Sequence, residues 1–169
     1  MDVPDPIFFP QFIGNFELAL KSNTSIVVII GNDYNLYLSN TAVSKTSATL
    51  LSLVDLMVAN GTNAAMIKDA ATGRYVHSYD DIRDNGYSHI RTHLDSHMPC
   101  EANMIFWTFE NGYLQFYRGG NWFYDTVGCM DSSTGLVKVW LINGQQGLTA
   151  IQTALGNCAL APLIPINYD

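Results

Sequence analysis

Charge is scarce in this chain of 169 residues: Asp, Glu, Lys and Arg together make up 14%, against about 25% in a typical soluble domain. Cations are the scarcer kind, with eight Lys and Arg facing fifteen Asp and Glu for a formal charge of −7. A polyphosphate is repelled by such a chain unless its few cations cluster, so nucleic acid is excluded as an expected partner. Long apolar runs are also missing. The longest, Ile26 to Ile30, is far below the roughly 18–20 residues that cross a bilayer, and no membrane association is expected. The N-terminal stretch MDVPDPIFFPQF has no basic residue and three prolines in ten positions, unlike the charged and then apolar plan of a signal peptide. Cysteine is limited to Cys100, Cys129 and Cys158, an odd and widely spaced set that reads as reduced thiols rather than a disulfide framework. Together these absences predict an intracellular, cytoplasmic protein. The sequons at Asn23-Thr24-Ser25 and Asn60-Gly61-Thr62 matter only in a secretory pathway.

What is present is apolar mass. Hydrophobic residues make up 48% of the chain, enough to exclude disorder and to build one core over residues 1–169. Phe12, Ile13, Phe16, Ala19 and Leu20 fall at three- and four-residue spacings and predict a helix over about residues 10–22. Ala48, Leu51, Val54, Leu56 and Val58, closed by Asn60-Gly61, predict a second over 46–59. Leu148, Ile151, Ala154 and Leu155 before Gly156-Asn157 predict a third over 145–156. Between them, β-branched and aromatic runs broken by turn residues predict hairpins at 25–38, 64–78 and 104–117 and strands at 122–126 and 135–142. The expected fold is α+β, an antiparallel sheet of about five to seven strands with packed helices. That element order resembles profilin-like and roadblock-like folds. The alternative is a β-trefoil, because Ile29, Ile67 and Ile105, and likewise Tyr37, Tyr75 and Tyr113, recur every 38 residues and suggest three units around one core.

Two local concentrations carry the functional expectations. All four histidines lie between His77 and His97. A helix over 88–96 would line up His89, His93 and His97 at four-residue steps, where an adjacent pair can hold zinc through neutral imidazoles if a further ligand arrives. Without metal, the same residues form a solvated face flanked by Arg91 and Asp95. Asp80, Asp81 and Asp84 read as a solvated acidic turn. Gln152 precedes Cys158 by six residues, a spacing that suits an oxyanion-hole amide beside a nucleophilic thiol, but Pro162 and Pro165 follow at once. Gly119-Gly120 lacks the Lys-Ser or Lys-Thr of a phosphate loop.

The second concentration is aromatic: Phe106, Trp107, Phe109, Tyr113, Phe116, Tyr117, Trp122, Phe123 and Tyr124. Neighbours on a strand face opposite ways, so one core does not bury them all. Tyr117, Arg118, Trp122 and Tyr124 are the expected binding residues, flanking the polar turn Arg118-Gly119-Gly120-Asn121, with Tyr113 and Phe116 in the core. Tyr and Trp combine contact area with a polar handle. The function expected is therefore a non-enzymatic protein-binding or assembly module, engaging a protein partner or its own copy and needing no cofactor. The alternative is a metal- or thiol-dependent hydrolase using the histidine segment and a cysteine.

Overall fold

A computed structural model describes residues 14–39, 49–80, 82–99, 105–118 and 122–167. Chain order begins with β1 (Asn15–Leu20), β2 (Asn23–Ile30), β3 (Leu36–Leu38), β4 (Leu51–Ala59), β5 (Thr62–Asp69) and β6 (Val76–Ser78). A single turn, α1 (Ile82–Asn85), leads to β7 (Tyr87–Thr92), β8 (Trp107–Thr108), β9 (Gln115–Tyr117), β10 (Phe123–Met130) and β11 (Val137–Ile142). The helix α2 (Gly144–Leu155) then precedes β12 (Cys158–Leu160) and β13 (Leu163–Ile166). Every strand pairing is antiparallel. Followed from β10 through β9, β8, β5, β4, β1, β2, β3 and β11, the pairings return to β10. A closed circuit leaves few unpaired edges.

This is a sheet-dominated protein, and the expectation of an α+β fold with five to seven strands and packed helices is overturned. Among the described residues there are thirteen strands, and α2 is the one helix of more than a single turn. The helix expected over 145–156 is α2. The one expected over 10–22 is β1 where it is described, residues 10–13 lying outside the described residues. Phe16 and Leu18 alternate into the core, and β1 pairs with β13 from Leu20↔Leu163 to Glu17↔Ile166. That partner lies at the far end of the chain and outweighs a local helical spacing that fits either period.

The helix expected over 46–59 is β4, with 46–48 outside the described residues. Here the cause is a bulge. The β4–β5 register shifts between Val54 and Met57, and Asp55 takes a positive φ of 51°. An inserted residue resets the two-residue alternation, so the apolar positions on either side imitate helical spacing. Asn60-Gly61, with φ of 51° and 77°, is the two-residue hairpin turn that this dipeptide favours, not a helix stop.

The trefoil alternative finds no repeat in the pairing. Ile29 sits opposite Tyr37 in the β2–β3 hairpin. Ile67 lies in β5, which pairs with β4 and β8, and Ile105 precedes β8 outside any strand. The β2–β3 and β8–β9 hairpins form as expected. The 64–78 hairpin closes only at Lys68↔Tyr75, after which β6 leaves to pair with β7.

Inside the circuit, one cluster gathers Phe16, Leu18, Leu36, Leu38, Ile67, Ile90, Trp107, Phe116, Tyr124, Val139 and Leu141. Outside it, α2 lays Ile151 on Val127, Cys129, Trp140 and Ile142 of β10 and β11. Its docking is close. A Cβ on Gly147 would lie 2.2 Å from the Gly86 carbonyl oxygen, and Asn143 N–H donates to that same oxygen at 2.8 Å.

The expectation of reduced thiols also fails. Cys129 and Cys158 face each other in the β10–β12 register and form a disulfide with Cα atoms 4.1 Å apart. Sequence spacing hid the pair because they are 29 positions apart, with β11 and α2 between them. Cys100 lies outside the described residues.

Candidate functional site

Strand alternation builds a distinct outer face on β3, β11, β7 and β6. Leu36 and Leu38, Val139 and Leu141, Ile90, and Val76 point into the core, so their neighbours Tyr37, Lys138 and Trp140, His89 and Arg91, and His77 point the other way. The registers set these side by side: Tyr37 opposite Lys138, Trp140 opposite His89, and Arg91 opposite His77. Tyr79 N–H donates to the His89 carbonyl at 3.0 Å, which extends the same face past the end of β6.

Across this face runs an unbroken ladder of cations and rings. Lys138 Nζ is 4.9 Å from the Trp140 ring centroid, and Trp140 lies 4.0 Å from the His89 ring. His89 meets Tyr79 at 6.2 Å, and the Arg91 guanidinium sits 5.0 Å over Tyr79 and 5.8 Å over Tyr34. Arg74 completes the ladder 4.6 Å over the other end, Tyr34. Each cation–ring contact is of a kind worth about 0.5–1 kcal/mol at an exposed site and more when desolvated. Tyr79 is 52% exposed, whereas His77 is buried and Trp140 is covered by Ile151 of α2. The ladder joins two clefts, one of about 450 Å³ that includes Tyr34 and Arg74 and one of about 310 Å³ that includes Lys138 and Trp140.

Burial and neighbouring charge tune these groups. Burial, reinforced by the positive charges of His93 and Arg91, lowers the His77 pKa to about 4, so its ring is neutral at pH 7. Burial also lowers His89, although Asp80, whose carboxylate lies 3.3 Å from His89 Nδ1, opposes the shift. Lys138 is lowered by burial and pulled back by Asp33 and Asp131. The Tyr34 phenol is lowered by a hydrogen bond and charge from Arg74, with Arg91 adding to it. Burial and its hydrogen bond to Asp33 push Tyr37 up to about 12; that hydroxyl donates to Asp33 Oδ2 at 2.6 Å. The result is a face of flat rings and donors held at fixed spacing, suited to stacking and hydrogen bonding.

The expected sites fare unevenly. Arg118 and Trp122 do close the β9–β10 hairpin, Arg118 N–H donating to the Trp122 carbonyl at 3.2 Å, and Trp122 is exposed. Residues 119–121 lie outside the described residues. Tyr117 and Tyr124, however, are core residues. The Tyr117 hydroxyl donates to the Ala59 carbonyl at 3.0 Å, and Tyr124 stacks on Phe116 with centroids 6.2 Å apart. Tyr113, expected in the core with Phe116, is half-buried. Phe116 and Tyr124 point into the circuit, while Tyr117 is covered on the opposite face, where its ring meets Phe123 at 5.3 Å and its hydroxyl reaches the end of β4.

The histidines do not line a helix. His89 belongs to β7, His93 follows that strand, and His97 lies in the loop beyond. Asp95 gathers the latter two, its Oδ1 lying 3.1 Å from His93 Nδ1 and 3.4 Å from His97 Nδ1. Among the described residues no three of His, Cys, Asp and Glu come together as a metal site, so the zinc expectation loses its geometry. The disulfide likewise occupies two of the three thiols of the hydrolase alternative; Gln152 does reach the Cys158 carbonyl, at 3.2 Å, as a local brace. Asp81, of the acidic turn, lies outside the described residues.

Sequence reasoning missed Tyr34, Arg74, Tyr79, Lys138 and Trp140 as members of one site. The available signal was Lys138 and Trp140 alternating with Val137, Val139 and Leu141; the others come from separate loops. No protein-family model matches this chain, and no curated protein matches it.

Proposed function

We propose that this protein is a non-enzymatic binding module that engages a protein partner through the outer face of β3, β11, β7 and β6. The observation that carries this reading is the uninterrupted ladder from Lys138 to Arg74. Tyr, Trp and Arg supply most of the binding energy at protein interfaces, and anchors whose rotamers are already fixed lose little entropy on association. Ring stacking fixes these side chains before any partner arrives. The disulfide supports work in oxidising surroundings, in place of the cytoplasm expected from the cysteine count. The β9–β10 hairpin, where Trp122 is exposed, is the competing surface on the same molecule.

Quantitative capture from the native source, using wild type, Tyr79→Ala, Arg91→Gln and Trp122→Ala baits of equal thermal stability, tests the reading. The expected result is a partner, or a second copy, recovered with wild type and Trp122→Ala and reduced at least about tenfold with Tyr79→Ala and Arg91→Gln, the loss of one to two strong anchors. Loss confined to Trp122→Ala would move the site to the hairpin, and equal recovery with every bait would end the reading.

A further inference from the structure

Beyond partner binding, we propose that the cleft at the Tyr34 end of the ladder is a site for a small organic anion, whose carboxylate or phosphate is gripped by Arg74, with Arg91 adding positive charge from beside the cleft, where its Nε–H donates to the Thr92 carbonyl at 3.3 Å. The cleft measures about 450 Å³ and is lined by Tyr34 and Arg74 together with Asn32, Thr49, Thr72 and Thr92. That size lies within the range of small-molecule sites, about 300–1,000 Å³. Both guanidiniums approach one ring, at 4.6 and 5.8 Å. Neither forms an ion pair with a carboxylate among the described residues. The acid nearest to hand in the cleft, Asp69, is buried and already occupied: its oxygens accept from Ala71 N–H at 3.1 Å and the Thr72 hydroxyl at 2.9 Å.

An arginine fork matches the two oxygens of a carboxylate or phosphate, and a second arginine raises the local potential for an anion. The Tyr34 platform is rigid. Tyr34 holds a φ of 67°, a left-handed conformation that a bulky residue seldom adopts without support. Three backbone hydrogen bonds supply that support: Gly31 N–H to Asn35 O at 2.9 Å, Tyr34 N–H to Gly31 O at 3.0 Å, and Thr92 N–H to Tyr34 O at 2.8 Å. Strain retained by such over-determination is a feature of ligand-holding segments. The lowered Tyr34 phenol agrees with a positive field at this end.

The test is a titration of the isolated ¹⁵N-labelled protein with inorganic phosphate and with citrate, at ionic strength held constant with sodium chloride, following the arginine Nε–Hε signals. Saturable shifts at Arg74 and Arg91 are expected with at least one probe, weakened at least about tenfold in Arg74→Gln and in Arg91→Gln and unchanged in Lys21→Gln. Backbone amide spectra establish that each variant is folded, and either arginine variant alone suffices if the other is not. Shifts no larger than those given by chloride, or equal binding in the folded arginine variants, would overturn the proposal. Lys138→Gln separates the two readings, since it removes the rung of the ladder farthest from the cleft, over Trp140, and is expected to weaken partner capture and to leave the titration intact.

Discussion

Aromatic side chains gather in this protein in two ways. Between Trp107 and Tyr124 they are dense in sequence, and the circuit buries most of them: Trp107, Phe109, Phe116, Tyr117 and Tyr124 are each at most 2% exposed. On the outer face of β3, β11, β7 and β6 they are dispersed in sequence, coming from positions 34, 79 and 140, yet they meet in one ladder with His89 and the cations between them. The first group touches apolar neighbours, and the Trp107 indole donates its one N–H to the Val76 carbonyl at 2.9 Å. The second touches Lys, Arg and His. Density along the chain thus identified core, while density in space, with charge interleaved, identifies the candidate surface.

The largest expected effect sharpens the buried half of that comparison. Trp107→Ala should cost about 3–5 kcal/mol, the range for deleting a buried Phe or Trp, because the ring packs on Phe116 at 5.0 Å and its hydrogen bond is lost as well. Urea unfolding of the variant measures it, and a cost below about 1 kcal/mol would place Trp107 outside the core. Next comes the disulfide that ties β12 to β10. Opening the loop closed by a separation of 29 residues, by Cys158→Ser, should cost about 3.6 kcal/mol on the chain-entropy account, read from denaturant midpoints with and without reductant, with reductant leaving the variant unchanged.

The layer beneath the ladder should respond to acid. The folded His77 pKa, at about 4, lies below the unfolded value of about 6.5. The unfolded chain therefore binds the extra proton between those values, and stability is present above pH 6.5 and lost as pH falls towards 4. About 2 kcal/mol should disappear between pH 7 and pH 5. His77→Gln should flatten that part of the stability profile; an unchanged slope would remove His77 as its source.

Gly147→Ala reports on the helix that borders the ladder at Trp140. Ala in a helix interior is ordinarily worth up to about 1 kcal/mol over Gly, yet here the added carbon meets the Gly86 carbonyl. The expected sign is reversed, a loss of about 1–3 kcal/mol from overpacking, measured by thermal melts. Tyr79→Ala should give the smallest change, less than about 1 kcal/mol, since half of the residue is exposed and only ring contacts are lost. A loss as large as that of Trp107→Ala would break the comparison and make the ladder a part of the core.

The sequence by itself determined the local features of this protein. Asn-Gly turns at 60–61 and 111–112, the β2–β3 and β8–β9 hairpins, the helix that ends at Leu155 and the exposure of Trp122 all rest on interactions within a few residues, and were legible as turn chemistry and periodicity. Long-range pairing decided the rest. β1 is a strand because β13 reaches it from the opposite end of the chain, and β4 is one because β5 pairs along it, its alternation hidden by the bulge at Asp55. Cys129 meets Cys158 only after β11 and α2 fold between them. The ladder needs closure of the circuit most of all: Tyr34, Arg74, Arg91 and Trp140 have no local spacing in common, and they become neighbours only when the registers of β3, β11, β7 and β6 are set by the alternating residues packed on the other side.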